Sequence, residues 1–260
     1  MLTAINLVYK AGGRALVDGV SATFEPGRFH LIVGPNGAGK STLVKLLARL
    51  LQPHAGSVVY EAADAKRWNE RELARRRATL SQAIDVAFPI PVRELVMMGR
   101  YPHFRGRPGP LDEAVCDDVM GYADVAELAE RDYATLSGGE QQRVNFARVL
   151  AQIWKPLEDS RRYLFLDEPL TFLDIRHQIA FMKKVREFAS RPDVVAIGVV
   201  HDLNLAIRFA DRLILLHQGR ILADGNAAHV LTAGNLSRAF DVNPAFITNQ
   251  ADGRVYISYD

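Results

Sequence analysis

One glycine-rich segment of the sequence has the composition and spacing of a phosphate-binding loop. It reads GPNGAGKST and comprises Gly34, Pro35, Asn36, Gly37, Ala38, Gly39, Lys40, Ser41 and Thr42. Glycines let a backbone wrap closely around phosphate groups, and the amides that open the following helix attract anions. We therefore expect Lys40 to reach the β and γ phosphates of a nucleotide and the Ser41 hydroxyl to bind Mg²⁺.

An acidic pair follows an apolar segment later in the chain, where residues 163–168 read YLFLDE. A phosphate loop needs a carboxylate on the metal side, at the end of a neighbouring buried strand, and Asp167 is predicted to supply it. Glu168 lies one residue further on and faces away from the apolar sheet. It is predicted to orient or deprotonate the attacking water.

A second pair of glycines stands in the segment LSGGE, which is followed by QQR and an apolar-periodic stretch. Ser137 and Glu140 have the spacing of a capping box, so one interpretation is simply a well-formed helix start. That interpretation leaves Gly138 and Gly139 unexplained. Because glycines expose backbone amides at the positive end of a helix, the alternative is a second anion site, for which the chain has no separate phosphate.

The elements that would position these residues alternate between strands and helices. Residues 3–9 and 17–24 are rich in β-branched and aromatic residues and predict a small antiparallel sheet. Apolar runs at 29–33, 163–166, 194–200 and 213–216 predict further strands, and leucines at helical spacing predict a helix over 41–51. The expected fold class is α/β, a mostly parallel sheet covered by helices. A β-rich N-terminus would lie beside this sheet, with a helical insertion at 85–156.

The composition is that of an ordinary globular protein and excludes several other classes. The 260 residues carry 32 Lys plus Arg against 30 Asp plus Glu, and 48% are hydrophobic, which excludes disorder and a function based on net charge. Cys116 is the single cysteine, so no intrachain disulfide or cysteine metal cluster is expected. The first residues lack signal-peptide features, and no apolar window reaches the length of a membrane span.

The densest run of charge is formed by Arg75, Arg76 and Arg77. Two interpretations are open for it: the solvated face of a helix over 69–79, or a contact to nucleic acid. No aromatic platform accompanies the arginines, so the solvated helix is favoured and no nucleic-acid partner is expected.

Taken together, six segments occur in the order and approximate spacing found in ATP-binding cassette (ABC) ATPases, and the chain resembles that family. They are GPNGAGKST, LSQ with Gln82, LSGGEQQR, YLFLDEP, PLTFLD with Asp174, and VVHDLN with His201. The resemblance implies a phosphate-loop NTPase fold, ATP with Mg²⁺, and a homodimer of two head-to-tail subunits. In such a pair the LSGGE segment of one subunit covers the ATP held by the other, close to the contact around Asp174.

The resemblance also implies roles for three single residues. Tyr9 is expected to stack on adenine, the alternative being a half-buried strand tyrosine. Gln82 would touch Mg²⁺ or the lytic water and link the nucleotide state to the helical insertion. His201 would contact the γ-phosphate. The cassette is expected to form one domain over 1–260, with 1–84 holding the β part and phosphate loop, 85–160 the helical part, and 161–260 the rest of the core.

Within the family, VRELVMMGRYPH at 92–103 is similar to ATPases that power bacterial uptake of iron-siderophores, vitamin B12 and haem. AFPIPVRELV, AQIW with extra residues near 155–162, and LDIRHQ are most similar to haem import ATPases. The resemblance implies a membrane permease docked near 82–103, a periplasmic binding protein acting indirectly, and a location at the cytoplasmic face of the inner membrane. A siderophore or B12 importer is the alternative, and a non-transport ABC ATPase acting on nucleic acid or in iron-sulfur assembly is a further one.

Overall fold

The computed structural model of the protein describes residues 1–81, 86, 88–158, 160–171, 173–248 and 255–259. The strands within these residues are β1 (Leu2–Ala11), β2 (Arg14–Phe24), β3 (Arg28–Val33), β4 (Ala55–Tyr60), β5 (Ala63–Asp64), β6 (Arg77–Leu80), β7 (Arg162–Asp167), β8 (Val194–Val199), β9 (Arg212–His217), β10 (Arg220–Gly225), β11 (Pro244–Thr248) and β12 (Val255–Tyr259). The α-helices are α1 (Lys40–Leu47), α2 (Glu70–Ala74), α3 (Val92–Met97), α4 (Pro110–Tyr122), α5 (Gly138–Ile153), α6 (Ile175–Ala189), α7 (Leu203–Phe209), α8 (Ala227–Val230) and α9 (Ala233–Phe240).

Two sheets form the body of the fold, as the sequence predicts. The N-terminal sheet has the order β2-β1-β4-β5 with antiparallel pairs. The main sheet has the order β10-β9-β3-β8-β7-β6, and all its pairs are parallel except β10 with β9. Every residue of β7 and β8 is buried, because helices cover both faces of a parallel sheet. This burial explains why these strands read as continuous apolar runs.

Helix α1 lies between the two sheets and carries the end of the phosphate loop. Its buried side chains Leu43, Leu46 and Leu47 join a core that includes β1 and β2 residues and the facing sides of β7 and β8. The helix is shorter than the predicted 41–51. It ends at Leu47, and the left-handed φ of 54° at Arg49 turns the chain away.

The described residues between β6 and β7 form several helices, as predicted. Helices α3, α4 and α5 pack on one another and share an apolar core with the opposite face of the main sheet. An almost fully buried ion pair joins the Nε of Arg100 to Asp112 at 3.0 Å. Among the helices that the structure describes, none is long and apolar enough to cross a bilayer.

The predicted helix over 69–79 is wrong in its second half. Helix α2 ends at Ala74, and the chain continues as strand β6, which pairs with β7. Ala78 and Leu80 alternate into the core, and this long-range pairing overrides the local helical preference. The arginine run therefore does not lie on a solvated helix face. The side chains of Arg75, Arg76 and Arg77 each make a separate contact within the protein.

Strands β11 and β12 form an antiparallel hairpin that the sequence did not indicate. It packs on α7, where the Asn204 side chain both accepts from the Ile257 amide and donates to the Ile257 carbonyl. Helix α7 begins two residues after His201, so the hairpin supports the same helix that follows that histidine.

Candidate functional site

The phosphate-loop segment connects the end of β3 to the start of α1. A Cβ at Gly34 would lie 2.1 Å from the carbonyl oxygen of Leu216, and one at Gly39 would lie 2.1 Å from that of Leu16. Gly37 instead has a φ of 75° and open space around it. These positions require glycine for close backbone approach or for a left-handed φ. The result is a concave run of backbone at a helix N-terminus, which suits an anion.

Other loop residues divide between the surface and the interior. Asn36 is exposed, Pro35 is half-buried, and Ala38 is buried at 3% exposure. Ser41 and Thr42 are half-buried in the first turn of α1. Both residues therefore keep part of their surface open to solvent.

Lys40 is folded back onto the loop that precedes it. Its ammonium donates hydrogen bonds to the carbonyl of Gly34 at 2.9 Å and to that of Pro35 at 3.0 Å. Burial lowers the pKa of Lys40, while the charges of Glu168 and Asp167 act in the opposite direction. The lysine thus lies within the electrostatic range of both predicted carboxylates, so the site residues from two distant segments meet here.

Asp167 is the last residue of β7 and is 9% exposed. Its Oδ1 atom is buried and has no hydrogen-bond partner within the described part of the chain. A buried carboxylate oxygen without a partner is costly, and a cation would satisfy it. The donor set of a carboxylate and a serine hydroxyl beside a phosphate loop is one that Mg²⁺ prefers. The residues present therefore fit a magnesium ion.

Glu168 turns out of the sheet and meets His201. Its backbone has the left-handed φ of 53°, uncommon for a residue other than glycine. Its Oε1 lies 2.8 Å from Nε2 of His201, which follows β8. The two side chains are 26% and 49% exposed, so solvent reaches both. They line a groove of about 290 Å³ together with Leu170 and Gln178.

The LSGGE segment opens α5 with the predicted capping box. The amide and hydroxyl of Ser137 both donate to Glu140 Oε2, at 2.8 and 2.7 Å, and the Glu140 amide donates to Ser137 Oγ at 3.4 Å. The bonds from Ser137 lower the pKa of Glu140. Gly138 is exposed and Gly139 half-buried. Because α5 packs on α3 and α4 while α1 packs on β7 and β8, this helix start and the phosphate loop belong to different parts of the fold.

Asp174 and Tyr9 are predicted site residues that lie in other parts of the fold. Asp174 caps α6: it accepts hydrogen bonds from the His177 amide at 2.8 Å, and its side chain is 66% exposed. Hydrogen bonding from His177 lowers the pKa of Asp174. Gln82 lies outside the described residues.

Tyr9 is a half-buried residue of β1, held by His54. The two rings lie edge to face, 5.1 Å apart. The His54 amide donates to the Val8 carbonyl at 2.8 Å, and its Nδ1 accepts from the Lys10 amide at 3.3 Å. One residue thus bonds both neighbours of Tyr9.

Gln142 is a site residue that the sequence analysis missed. It is 5% exposed on α5, and its Nε2 donates to the Pro169 carbonyl at 2.7 Å, one residue past Glu168. This bond joins the LSGGE helix to the loop that carries Glu168. The available signal was a polar residue two positions after LSGGE, at the start of an apolar-periodic stretch.

Comparison with known proteins agrees with this geometry. The profile of the family described as "ABC transporter" matches residues 17–171. The chain is 41% identical over 260 residues to the Hemin import ATP-binding protein HmuV of Escherichia coli O157:H7, covering all of both chains. It is 48% identical over 232 residues to the protein of the same name from Gloeobacter violaceus, covering 89% of this chain and 84% of that one.

Solved structures give the same fold. A metal-chelate type ABC transporter in an inward-facing conformation matches with a TM-score of 0.83 and 24% identity, covering 100% of this chain and 96% of that one. A dimeric bacterial ABC transporter cassette matches with a TM-score of 0.74 and 25% identity, covering 87% and 99%. The fold is that of the phosphate-loop NTPases, as predicted, and the chain belongs to the ABC transporter family as an ATP-binding cassette.

Proposed function

We propose that this chain is the ATP-hydrolysing subunit of an importer that energises the uptake of haem through a membrane permease. The observation that carries the haem assignment is its 40–48% identity, over most or all of its length, to four proteins named as hemin import ATP-binding proteins. The hydrolytic part is supported by the meeting of Lys40, Asp167, Glu168 and His201 at one edge of the main sheet.

In this proposal the phosphate loop, 34–42, binds the phosphates of ATP, and Lys40 exchanges its carbonyl partners for phosphate oxygens. Ser41 and Asp167 would hold Mg²⁺, with Gln82 as a further contact. When bound, Mg²⁺ neutralises charge on the phosphate oxygens. Glu168 orients or deprotonates the attacking water, and His201, in contact with Glu168, binds near the γ-phosphate.

The site is completed by a second copy of the chain. The helix start at 137–140 is partly exposed, the cap Asp174 is exposed, and both lie outside the segment 34–42 that is proposed to bind the phosphates. A head-to-tail homodimer would bring Ser137, Gly138, Gly139 and Glu140 over the ATP of the other subunit. The match to a dimeric cassette supports this arrangement. ATP binding then closes the pair, and hydrolysis opens it, which drives the permease by differential binding of its two states.

We further propose that the cassette is peripheral to the cytoplasmic face of a bacterial inner membrane, and that a haem-loaded periplasmic binding protein acts on it indirectly, by docking on the permease. We propose the same division of this single domain as the sequence predicts: 1–84 with the β part and phosphate loop, 85–160 with the helical part, and 161–260 with the rest of the core. Reconstitution with the cognate permease tests the substrate, with ATPase stimulation measured for haem-loaded, B12-loaded and siderophore-loaded binding protein. Stimulation by haem alone is expected. Stimulation by B12 or a siderophore but not by haem would make the alternative correct.

Replacing Tyr9 with alanine is expected to raise KM for ATP by about tenfold with kcat little changed. Stacking of a base on an aromatic ring contributes about 1–3 kcal/mol, and it acts equally on the ground state and the transition state because adenine takes no part in the reaction. Steady-state ATPase kinetics measure both constants. Tyr9→Phe keeps the ring and should behave as the wild type. An unchanged KM in Tyr9→Ala would leave Tyr9 as a strand residue only.

Replacing Asp167 with asparagine is expected to raise the Mg²⁺ concentration needed for half-maximal ATPase activity by roughly tenfold or more. The amide keeps the shape but loses the charge that the cation requires. Activity measured against Mg²⁺ concentration gives the shift, and nucleotide binding without added metal serves as the control. An unaltered Mg²⁺ requirement would remove Asp167 from the metal site.

A further inference from the structure

The loop at 101–104 follows the buried Arg100 and is tied to helix α2 by two arginines. Arg71 donates to the Pro102 carbonyl at 3.0 Å and to the Phe104 carbonyl at 2.7 Å. Arg75 donates to the Pro102 carbonyl at 2.8 Å and to the His103 carbonyl at 3.4 Å. Each guanidinium therefore bridges two carbonyls of the same loop, which is the forked geometry that arginine provides and lysine does not.

The last turn of α5 closes this network from the other side. His103 Nε2 lies 2.7 Å from the Gln152 carbonyl. The Gln152 side chain in turn donates to the carbonyls of Ala74 and Arg77, at 2.7 and 2.8 Å. The loop, the end of α2, the start of β6 and the end of α5 are thus joined by one set of hydrogen bonds. We call Arg71 and Arg75, with the loop 101–104 that they hold, the arginine clamp.

The two arginines that follow, Arg76 and Arg77, do not take part in the clamp contacts described above. The guanidinium of Arg76 lies over the Trp68 ring at 4.7 Å, and Arg77 donates to the Ala48 carbonyl and pairs with Glu70. Arg76 therefore has the same charge and almost the same position in the chain as Arg75, but its contacts are to the Trp68 ring and to the Glu72 carbonyl of helix α2. This gives the clamp a matched internal control.

The loop 101–104 carries an exposed aromatic side chain at its first residue. Tyr101 is 57% exposed and packs edge to face with Phe104, 5.7 Å away. Exposed aromatic side chains on a rigid backbone are typical anchors of protein interfaces. Helix α2 and β6 lead directly to position 82, where the glutamine is proposed to contact the nucleotide site. In the sequence, strand β6 lies between the clamp residue Arg75 and the proposed catalytic glutamine at position 82.

We propose that Arg71 and Arg75 are positioning residues that pre-order the loop 101–104 for contact with the membrane permease. This inference rests on the proposed function, because the occupant is the permease of that importer. With the clamp in place, the loop is ordered before docking, so docking does not incur the loss of backbone conformational entropy that ordering the loop would cost. The clamp also makes α2 and the loop move together, so a shift of the segment before position 82 reaches the interface.

The test compares Arg71→Ala/Arg75→Ala with Arg76→Ala in the full chain. Three quantities are measured: ATPase activity of the isolated cassette, affinity for the detergent-solubilised cognate permease, and ATPase stimulation in the reconstituted complex. The double variant is expected to keep basal ATPase activity and to lose about tenfold or more in permease affinity and most stimulation. Arg76→Ala should match the wild type. Arg75→Lys, which keeps the charge but lacks the planar fork of Nε and Nη donors that holds the Pro102 and His103 carbonyls, should lose permease affinity relative to the wild type.

Tyr101→Ala is a second variant. Because the Tyr101 side chain is largely exposed, its removal should leave the fold intact. It should also weaken permease binding while sparing basal hydrolysis. Wild-type permease affinity in the double variant and in Tyr101→Ala would overturn the clamp and leave the proposed function standing. If Arg76→Ala and the double variant lost the same permease affinity, the effect would come from removing positive charge and not from the clamp, which would also overturn the proposal. A wild-type chain that hydrolyses ATP but binds no permease would overturn both proposals.

Discussion

Glutamine in place of Glu168 is expected to lower kcat for ATP hydrolysis by about 10²–10⁴-fold while ATP binding persists. The substitution keeps the size of the side chain and its ability to contact His201, 2.8 Å away. It removes the ability to accept a proton from the attacking water. ATP should therefore bind and close the dimer without being consumed, and the closed pair should accumulate.

Three measurements check this expectation: turnover, nucleotide affinity, and oligomeric state in the presence of ATP and Mg²⁺. Glu187→Gln makes the same chemical change at an exposed position of α6 and should hydrolyse ATP normally. Normal turnover in Glu168→Gln would mean that another group activates the water. A loss of ATP affinity equal to the loss of turnover would instead assign Glu168 to binding.

The phosphate loop and the acidic pair were predictable because their signals are local. The loop needs glycine where a Cβ would meet the carbonyls of Leu216 and Leu16. The glycines at these positions are part of the phosphate-loop pattern, so the sequence alone identifies them. Strands β7 and β8 are buried on both faces, so their apolar runs are continuous and end at Asp167 and just before His201. The parallel sheet then brings both ends to one edge, as its topology demands.

The parts that could not be predicted depend on partners far along the chain. Strand β6 pairs with β7, about 86 positions away, and the chain leaves helix α2 at Ala74 to form this pairing. The contacts of Arg75, Arg76 and Arg77 depend on this pairing, because each side chain meets a different neighbour once the helix ends. The same holds for Gln142, whose role depends on the Pro169 carbonyl that α5 meets in space. No local pattern in the sequence encodes these contacts.

Arg162 illustrates how the extra residues before β7 are anchored. Its side chain is 3% exposed and forms a bidentate pair with Asp193, at 2.6 and 2.9 Å. It also donates to the carbonyls of Ile153 and Trp154, at 3.1 and 2.6 Å, at the end of α5. One guanidinium thus joins the end of α5, the start of β7 and the turn before β8.

Replacing Arg162 with alanine is expected to destabilise the protein by about 3–5 kcal/mol, the cost of breaking a buried pair by removing one partner. For a chain of this length that corresponds to a fall in Tm of roughly 10 °C. Thermal or urea unfolding measures it. Arg28→Ala breaks an exposed pair with Glu25, whose side chains are 54% and 46% exposed, and should cost at most about 1 kcal/mol.

The effect of Arg162→Ala should also depend on pH. Burial raises the pKa of Asp193, but the hydrogen bonds and charge of Arg162 outweigh it, so the net pKa is lowered. A carboxyl whose folded pKa is lowered stabilises the fold above its unfolded pKa of about 4, and this stabilisation is lost as the pH falls through the folded value. The stability difference between wild type and variant should therefore be full at pH 7 and shrink below about pH 4. A difference that stayed constant on acidification would show that Arg162 stabilises the protein through its carbonyl contacts and its packing on Phe188, at 5.1 Å, rather than through Asp193.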